Sequence, residues 1–233
     1  MFFAKQLPIP RARSFDWQMK PLESAQTSLI HLPNGQLVLT IQHDVIYGVT
    51  PEMLVWWFQH LGGHIYYNSV MVSRYHVWHP IDHIHWEVVS RGPNGSTGQG
   101  ATFRIVEAFG GDPKHYIDST VYVEKCDEEG LSLVTRILGI EFFRLEHRFT
   151  QVDEGTRYDS RMVVGMNVAR LGPLLNKFVR PRLFSDESAQ RWLLHNIEEV
   201  GNFEFFLPLL YTEHFPKQKK ALHRTKLLRD RKK

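Results

Sequence analysis

Cysteine is almost missing: Cys126 is the only one in 233 residues. A lone thiol makes no internal disulfide and rules out Cys-rich zinc motifs, and it suits a reducing compartment. Long apolar runs are missing too. The opening segment MFFAKQLPIPRARSF has no stretch suited to a signal peptide or a spanning helix. The expectation is therefore a cytoplasmic protein with no membrane association. Internal repeats are absent, and no linker precedes the C-terminal tail. With 42% hydrophobic and 23% charged residues there is enough apolar material for one sizeable core. The chain reads as a single domain over residues 1–216 and a basic tail over residues 217–233, expected to be disordered.

The formal charge of +3 belongs to that tail. Residues 217–233 hold nine Lys/Arg against one Asp, so the remainder is net negative. The tail interleaves no aromatic residues for base stacking, and nucleic acid is not an expected partner.

What is plentiful is histidine, with 13 residues, and aromatic side chains, at 12%. Four of the histidines, His76, His79, His83 and His85, fall within RYHVWHPIDHIHWE. Imidazole is the commonest protein metal ligand and the usual acid–base group near neutral pH.

Asn34-Gly35 between apolar segments predicts a hairpin. Thr50-Pro51-Glu52 predicts a helix start, and Gly62-Gly63 its end. Strands are expected over HIHWEVVS, ATFRIVEAFG, HYIDSTVYVEK and LSLVTRILGIEFFRLEHRFTQV, then over TRYDSRMVVGMNV after a turn at residues 153–155. Residues 171–183 read as helical with a break near Pro181. Ser185 then caps a long helix whose first turn carries Asp186 and Glu187, as the helix dipole favours. This order predicts an α+β fold, a curved antiparallel sheet wrapped around a long C-terminal helix, with a pocket between them.

Within that helix lies HNIEE, which puts His195 and Glu199 on one face at i, i+4. Period-2 alternation places Glu107 on the face of Phe103 and Ile105, and His147 on the face of Phe143, Leu145 and Phe149. A buried unpaired carboxylate is costly, so Glu107 needs a cation, a metal or a proton. In the first long hairpin the register that matches apolar faces sets Ile84 opposite Glu107. Strict alternation turns His83 away, and a bulge would bring it back; His79 is the competing ligand. Two histidines and two carboxylates without thiolate suit zinc, with manganese or iron as alternatives.

RYHVWHPIDHIHWE, RIVEAFGG and HNIEEVGNFEFF in this order resemble the 2,4-diacetylphloroglucinol hydrolase and phloretin hydrolase family, with similarity over about residues 35–215. The resemblance implies a Bet v 1-like helix-grip fold and a metal-dependent hydrolase that cleaves an acyl group from a polyhydroxylated ring. It implies His83, Glu107, His195 and Glu199 as ligands of Zn2+. It maps a substrate-contacting tyrosine to Tyr75, eight residues before His83, an active-site histidine to His147, and a second substrate tyrosine to Tyr158. Trp192, with Trp78 and Trp86, is a candidate wall of an aromatic pocket. The implied reaction is a retro-Claisen hydrolysis by metal-bound water, with His147 titrating near the working pH. The expected partner is a small aromatic substrate, and a homodimer is compatible with the sequence. The rival readings are a non-catalytic carrier of hydrophobic ligands and a metal enzyme of other chemistry.

Overall fold

The computed structural model describes residues 6–67 and 70–215; the basic tail lies outside the described residues. In chain order the strands and helices are β1 (Gln26–His31), β2 (Leu37–Gln42), β3 (Ile46–Tyr47), α1 (Pro51–Gln59), β4 (His64–Tyr67), β5 (Val70–Ser73), α2 (Arg74–Trp78) and β6 (His83–Ser90). They continue with β7 (Thr102–Ala108), β8 (Tyr116–Asp127), β9 (Gly130–Ile137), β10 (Ile140–Val152), β11 (Gly155–Val164), α3 (Gly172–Phe178), α4 (Arg180–Leu183) and α5 (Asp186–His214).

Local chemistry sets the punctuation. Gly35 turns the first hairpin with φ +77°, and Asn34 Oδ1 accepts from the Gln36 amide at 3.1 Å. Thr50 caps α1 by accepting from the Met53 amide, with Pro51 at the first helical position. Ser185 caps α5 through the Ser188 amide at 3.0 Å, and Asp186 and Glu187 follow in its first turn. The expected strand over residues 131–152 divides at Leu138-Gly139, where both residues take positive φ and separate β9 from β10. Residues 74–78 fold as α2 and end ahead of Pro80, so Tyr75 projects from a helical turn. The helical stretch at 171–183 breaks just before Pro181 into α3 and α4.

The main sheet runs β1-β2-β11-β10-β9-β8-β7-β6, with β3 paired to β11 and every pairing antiparallel. The chain meanders from β6 to β11, and the N-terminal hairpin joins β11 through β2. Helix α5 packs against β1, β2, β3, α1 and α2. Aromatic rings fill the space between helix and sheet: Trp57 and Phe58 of α1 meet Phe203 of α5 at 6.0 and 6.1 Å, and Phe58 stacks on Phe149 of β10 at 6.3 Å. Phe203 and Trp57 are fully buried, and each such side chain contributes roughly 1.5–3 kcal/mol by leaving water. This is the expected α+β helix-grip arrangement, with a sheet closing on one long helix.

Candidate metal centre

Three elements deliver four side chains to one point. In β6 and β7 the register pairs His83 with Glu107, then His85 with Val106, so a bulge sits between His83 and His85. Ile84, expected opposite Glu107, instead joins Val106 and Ala108 in a separate small cluster with Leu7, Ile9 and Tyr116. The bulge changes which face His83 presents, and His83 and Glu107 point the same way. From α5, His195 and Glu199 come inward together, one turn apart.

His83 Nε2 lies 3.5 Å from Glu107 Oε1 and 3.5 Å from Glu199 Oε2. His195 Nε2 lies 3.7 Å from Glu107 Oε2 and 3.7 Å from Glu199 Oε2. These separations are long for direct N–H···O bonds, which run to about 3.2 Å. Tetrahedral bonds of about 2.1 Å put donor atoms roughly 3.4 Å apart; His83, Glu107 and His195 offer donor atoms within 4.8 Å of one another, and Glu199 Oε2 lies beside both imidazoles. His83 Nε2 is buried and has no hydrogen-bond partner, although it points between two carboxylates. The donor set therefore fits a divalent cation. Glu107 is the most accessible member at 14% side-chain exposure.

The surrounding bonds fix the tautomers. His83 Nδ1 lies 2.7 Å from the Tyr75 carbonyl, which can only accept, so the proton sits on Nδ1 and the Nε2 lone pair faces the carboxylates. His195 Nδ1 lies 2.9 Å from Asp82 Oδ2, which turns its Nε2 inward in the same way. Asp82 is itself anchored by the Gly111 amide at 3.1 Å. Tyr75 donates its hydroxyl to Glu107 Oε1 at 2.5 Å, and Asn196 donates to Glu199 Oε1 at 2.6 Å. Trp78 Nε1 donates to the Glu199 carbonyl at 3.0 Å, tying α2 to α5.

His79 makes different bonds. Its Nδ1 accepts from the Asp82 amide at 3.1 Å, and its Nε2 donates to Glu198 Oε2 at 3.1 Å. Both nitrogens are engaged beside the centre, whereas His83 presents a free one. Asp82 is the contributor that sequence reasoning missed. Its only signal was position, three residues after His79 and just before His83 in the histidine-rich segment.

Burial and charge oppose each other here. Burial disfavours a charged His195, yet Glu107, Glu199 and Asp82 outweigh it and raise its pKa to about 10. Without a metal, a proton on His195 supplies the positive charge the carboxylates need. Burial lowers His83 well below 6.5 and raises Glu199. Tyr75 is pushed well above 10 by burial and then by Glu107, so it stays a neutral donor. Burial would raise Asp82, but the bond from His195 and the nearby histidines bring it down to about 2.

The remaining expected site residues lie on β10, β11 and α5, and β8 and β9 separate β10 from β7 in the sheet. His147 Nδ1 lies 2.9 Å from Ser160 Oγ, and Tyr158 packs on the His147 ring at 5.0 Å. Burial, with the nearby His43, pushes His147 down to about 3, which corrects the expectation of titration near neutral pH. Trp192 is buried in the hydrophobic core, three residues before His195.

The sequence profile of the family described as DAPG hydrolase PhiG domain matches residues 15–212. The chain is 27% identical over 187 residues to the phloretin hydrolase of Eubacterium ramulus, a match covering 71% of this chain and 64% of that protein. It thus spans less than two thirds of that relative's length. Among solved structures it is similar to Ara h 8.0201, at 12% identity and a TM-score of 0.41, covering 78% of this chain and 98% of that one. It is also similar to a START superfamily protein from Mycobacterium smegmatis, at 11% identity and a TM-score of 0.38, covering 70% and 98%. With its profile match running from before β1 to the last turns of α5, the chain belongs to the DAPG hydrolase PhiG domain family.

Proposed function

We propose that the protein hydrolyses the carbon–carbon bond between an acyl group and a polyhydroxylated aromatic ring, with a divalent metal, preferably zinc, held by His83, Glu107, His195 and Glu199. The observation that carries this reading is the convergence of those four side chains, with a buried lone pair on His83 Nε2 left unpartnered between two carboxylates. Two imidazoles and two carboxylates suit zinc by donor type. When bound, such an ion lowers the pKa of a water to about 7 and polarises a carbonyl.

The chain's own groups supply the rest. Water is split across the broken bond: hydroxyl ends on the acyl carbon, giving a carboxylic acid, and a proton ends on the ring carbon. That carbon leaves readily when the phenol has tautomerised to a ring ketone, because the electron pair then passes into an enolate. Tyr75, a neutral phenol, holds the Glu107 carboxylate in place with its one proton and turns that proton to a ring oxygen of the substrate when the substrate binds. His147, neutral and buried, carries a lone pair for the proton that moves between ring oxygen and ring carbon. Tyr158 and Trp192 border the interior that an aromatic substrate would enter.

The test is product analysis after incubation with acylphloroglucinols. The reading expects free carboxylic acid and deacylated phloroglucinol in equal amounts, abolished by a chelator. Recovery of intact ligand would favour a carrier, and an oxygenated ring would favour another metal chemistry.

A further inference from the structure

Away from the metal centre, the segment between β11 and α5 carries an apolar stripe wider than the core covers. Residues 165–184 read GMNVARLGPLLNKFVRPRLF and include α3 and α4. Leu175 and Val179, one turn apart, pack against the core. Leu171, Leu174 and Phe178, at i, i+3 and i+7, continue the stripe outward. These three are 58%, 58% and 50% exposed. Clustered exposed apolar side chains of this size mark an interaction surface.

The face is held firmly in place. Asn176, buried beneath it, accepts from the Met166 amide at 2.7 Å and donates to the Met166 and Asn34 carbonyls at 2.9 and 2.8 Å. Just before Met166, the Gly165 amide donates to the Phe142 carbonyl at 2.7 Å, which seats the segment beside the start of β10. The turn leading into β10 adds Leu138, 98% exposed, at the same end of the sheet.

Charge selects what the face meets. Residues 165–184 contain Arg170, Lys177, Arg180 and Arg182 and no Asp or Glu. Arg180 is buried and bonded to Asp186 at 2.5 Å. Arg170, Lys177 and Arg182 are exposed, and none has an ion pair among the described residues. A second copy of the chain on a two-fold axis would set basic against basic. Residues 217–233 are basic as well, with nine Lys/Arg and one Asp. An anionic lipid surface is complementary on both counts: its headgroups meet the cations, and leucine and phenylalanine side chains enter the acyl boundary. Among the described residues no helix is long and apolar enough to cross a membrane, but a short amphipathic segment lies on one.

We infer that the outer face of α3 and its flanks, through Leu171, Leu174, Phe178 and Lys177, docks the protein on an anionic lipid bilayer.

The experiment is co-sedimentation of the purified full-length protein with vesicles of phosphatidylcholine alone or of an equal mixture of phosphatidylcholine and phosphatidylserine. The protein should pellet with the mixed vesicles, far less with phosphatidylcholine alone, and less as salt rises. Leu174→Ser/Phe178→Ser removes apolar contact only and should weaken binding about 10-fold or more. Lys177→Gln should weaken it about 5-fold. Both variants keep the basic tail, and their changed side chains are exposed, so circular dichroism and metal content should match the parent's. No pelleting of the parent on mixed vesicles would overturn the inference. So would equal binding by parent and both variants, which would assign the attraction to the tail. A parent dimer in light scattering that dissociates in Leu174→Ser/Phe178→Ser would assign the face to a second copy and overturn it too.

Discussion

His195 and Asp82, separated by 113 positions in the chain, meet with Nδ1 2.9 Å from Oδ2 inside the fold. The contact joins α5 to the short loop between α2 and β6. It orients the imidazole so that Nε2 faces Glu107 and Glu199, and it strengthens that nitrogen as a donor to a cation.

Removing that brace should weaken the centre without dismantling it. Asp82→Asn keeps the shape and loses the charge. The expected outcome is a metal affinity lowered about 10- to 100-fold, measured by competition with a chromogenic chelator. Unchanged affinity would show that Asp82 only fills space.

Tyr75 tests the chemistry next to the metal. Tyr75→Phe removes the hydroxyl bonded to Glu107 Oε1 and leaves the ring stacked on His83 at 3.8 Å. Metal should stay bound. Turnover of an acylphloroglucinol should fall about 100-fold or more, the usual scale for a lost proton donor. A wild-type rate would take Tyr75 out of the reaction.

Metal should also stabilise the fold, because it neutralises carboxylates that are otherwise held together by a proton on His195. At a thousandfold excess over Kd, ligand binding contributes roughly 4 kcal/mol. For a chain of this size that corresponds to a rise in Tm of roughly 10 °C. Calorimetry before and after chelation and zinc addition measures it, and an unchanged Tm would argue against a site formed by the fold.

Acid should destabilise the protein through His43 and His147. Both sit at about 3 in the fold because burial disfavours their charged forms, against 6.5 for an exposed histidine. As pH falls below about 6.5 the unfolded chain takes up protons that the folded one refuses. Stability is therefore full above that pH and is lost progressively toward about 3, at roughly 1.4 kcal/mol per pH unit for each group. Urea midpoints at several pH values should show a shallower acid limb for His147→Gln than for the parent; identical limbs would contradict the assignment.

The fold was readable where local chemistry decides it. Thr50, Asn34-Gly35 and Ser185 announce their caps and turn, and alternation separates the faces of the long strands. Leu138-Gly139 escaped notice because apolar residues flank it on both sides and mask the turn. Within the centre, i, i+4 spacing put His195 with Glu199, and strand alternation marked Glu107 as an acid on an apolar face. Alternation also misplaced Ile84 opposite Glu107. A bulge is a property of pairing between strands, and one strand's pattern does not contain it. Asp82 was invisible for a similar reason: its partner lies on a helix more than 100 residues away. The displaced pKa of His147 follows from complete burial, which the residue pattern alone does not quantify.

Metal content measures the central claim most directly. Elemental analysis of the purified protein, alongside Glu199→Ala and His195→Ala, should find one divalent ion per parent chain. It should find almost none in either variant, while their circular dichroism stays close to the parent's and turnover is lost. A parent protein with no stoichiometric metal, or a metal-free Glu199→Ala protein with full hydrolase activity, would contradict the account.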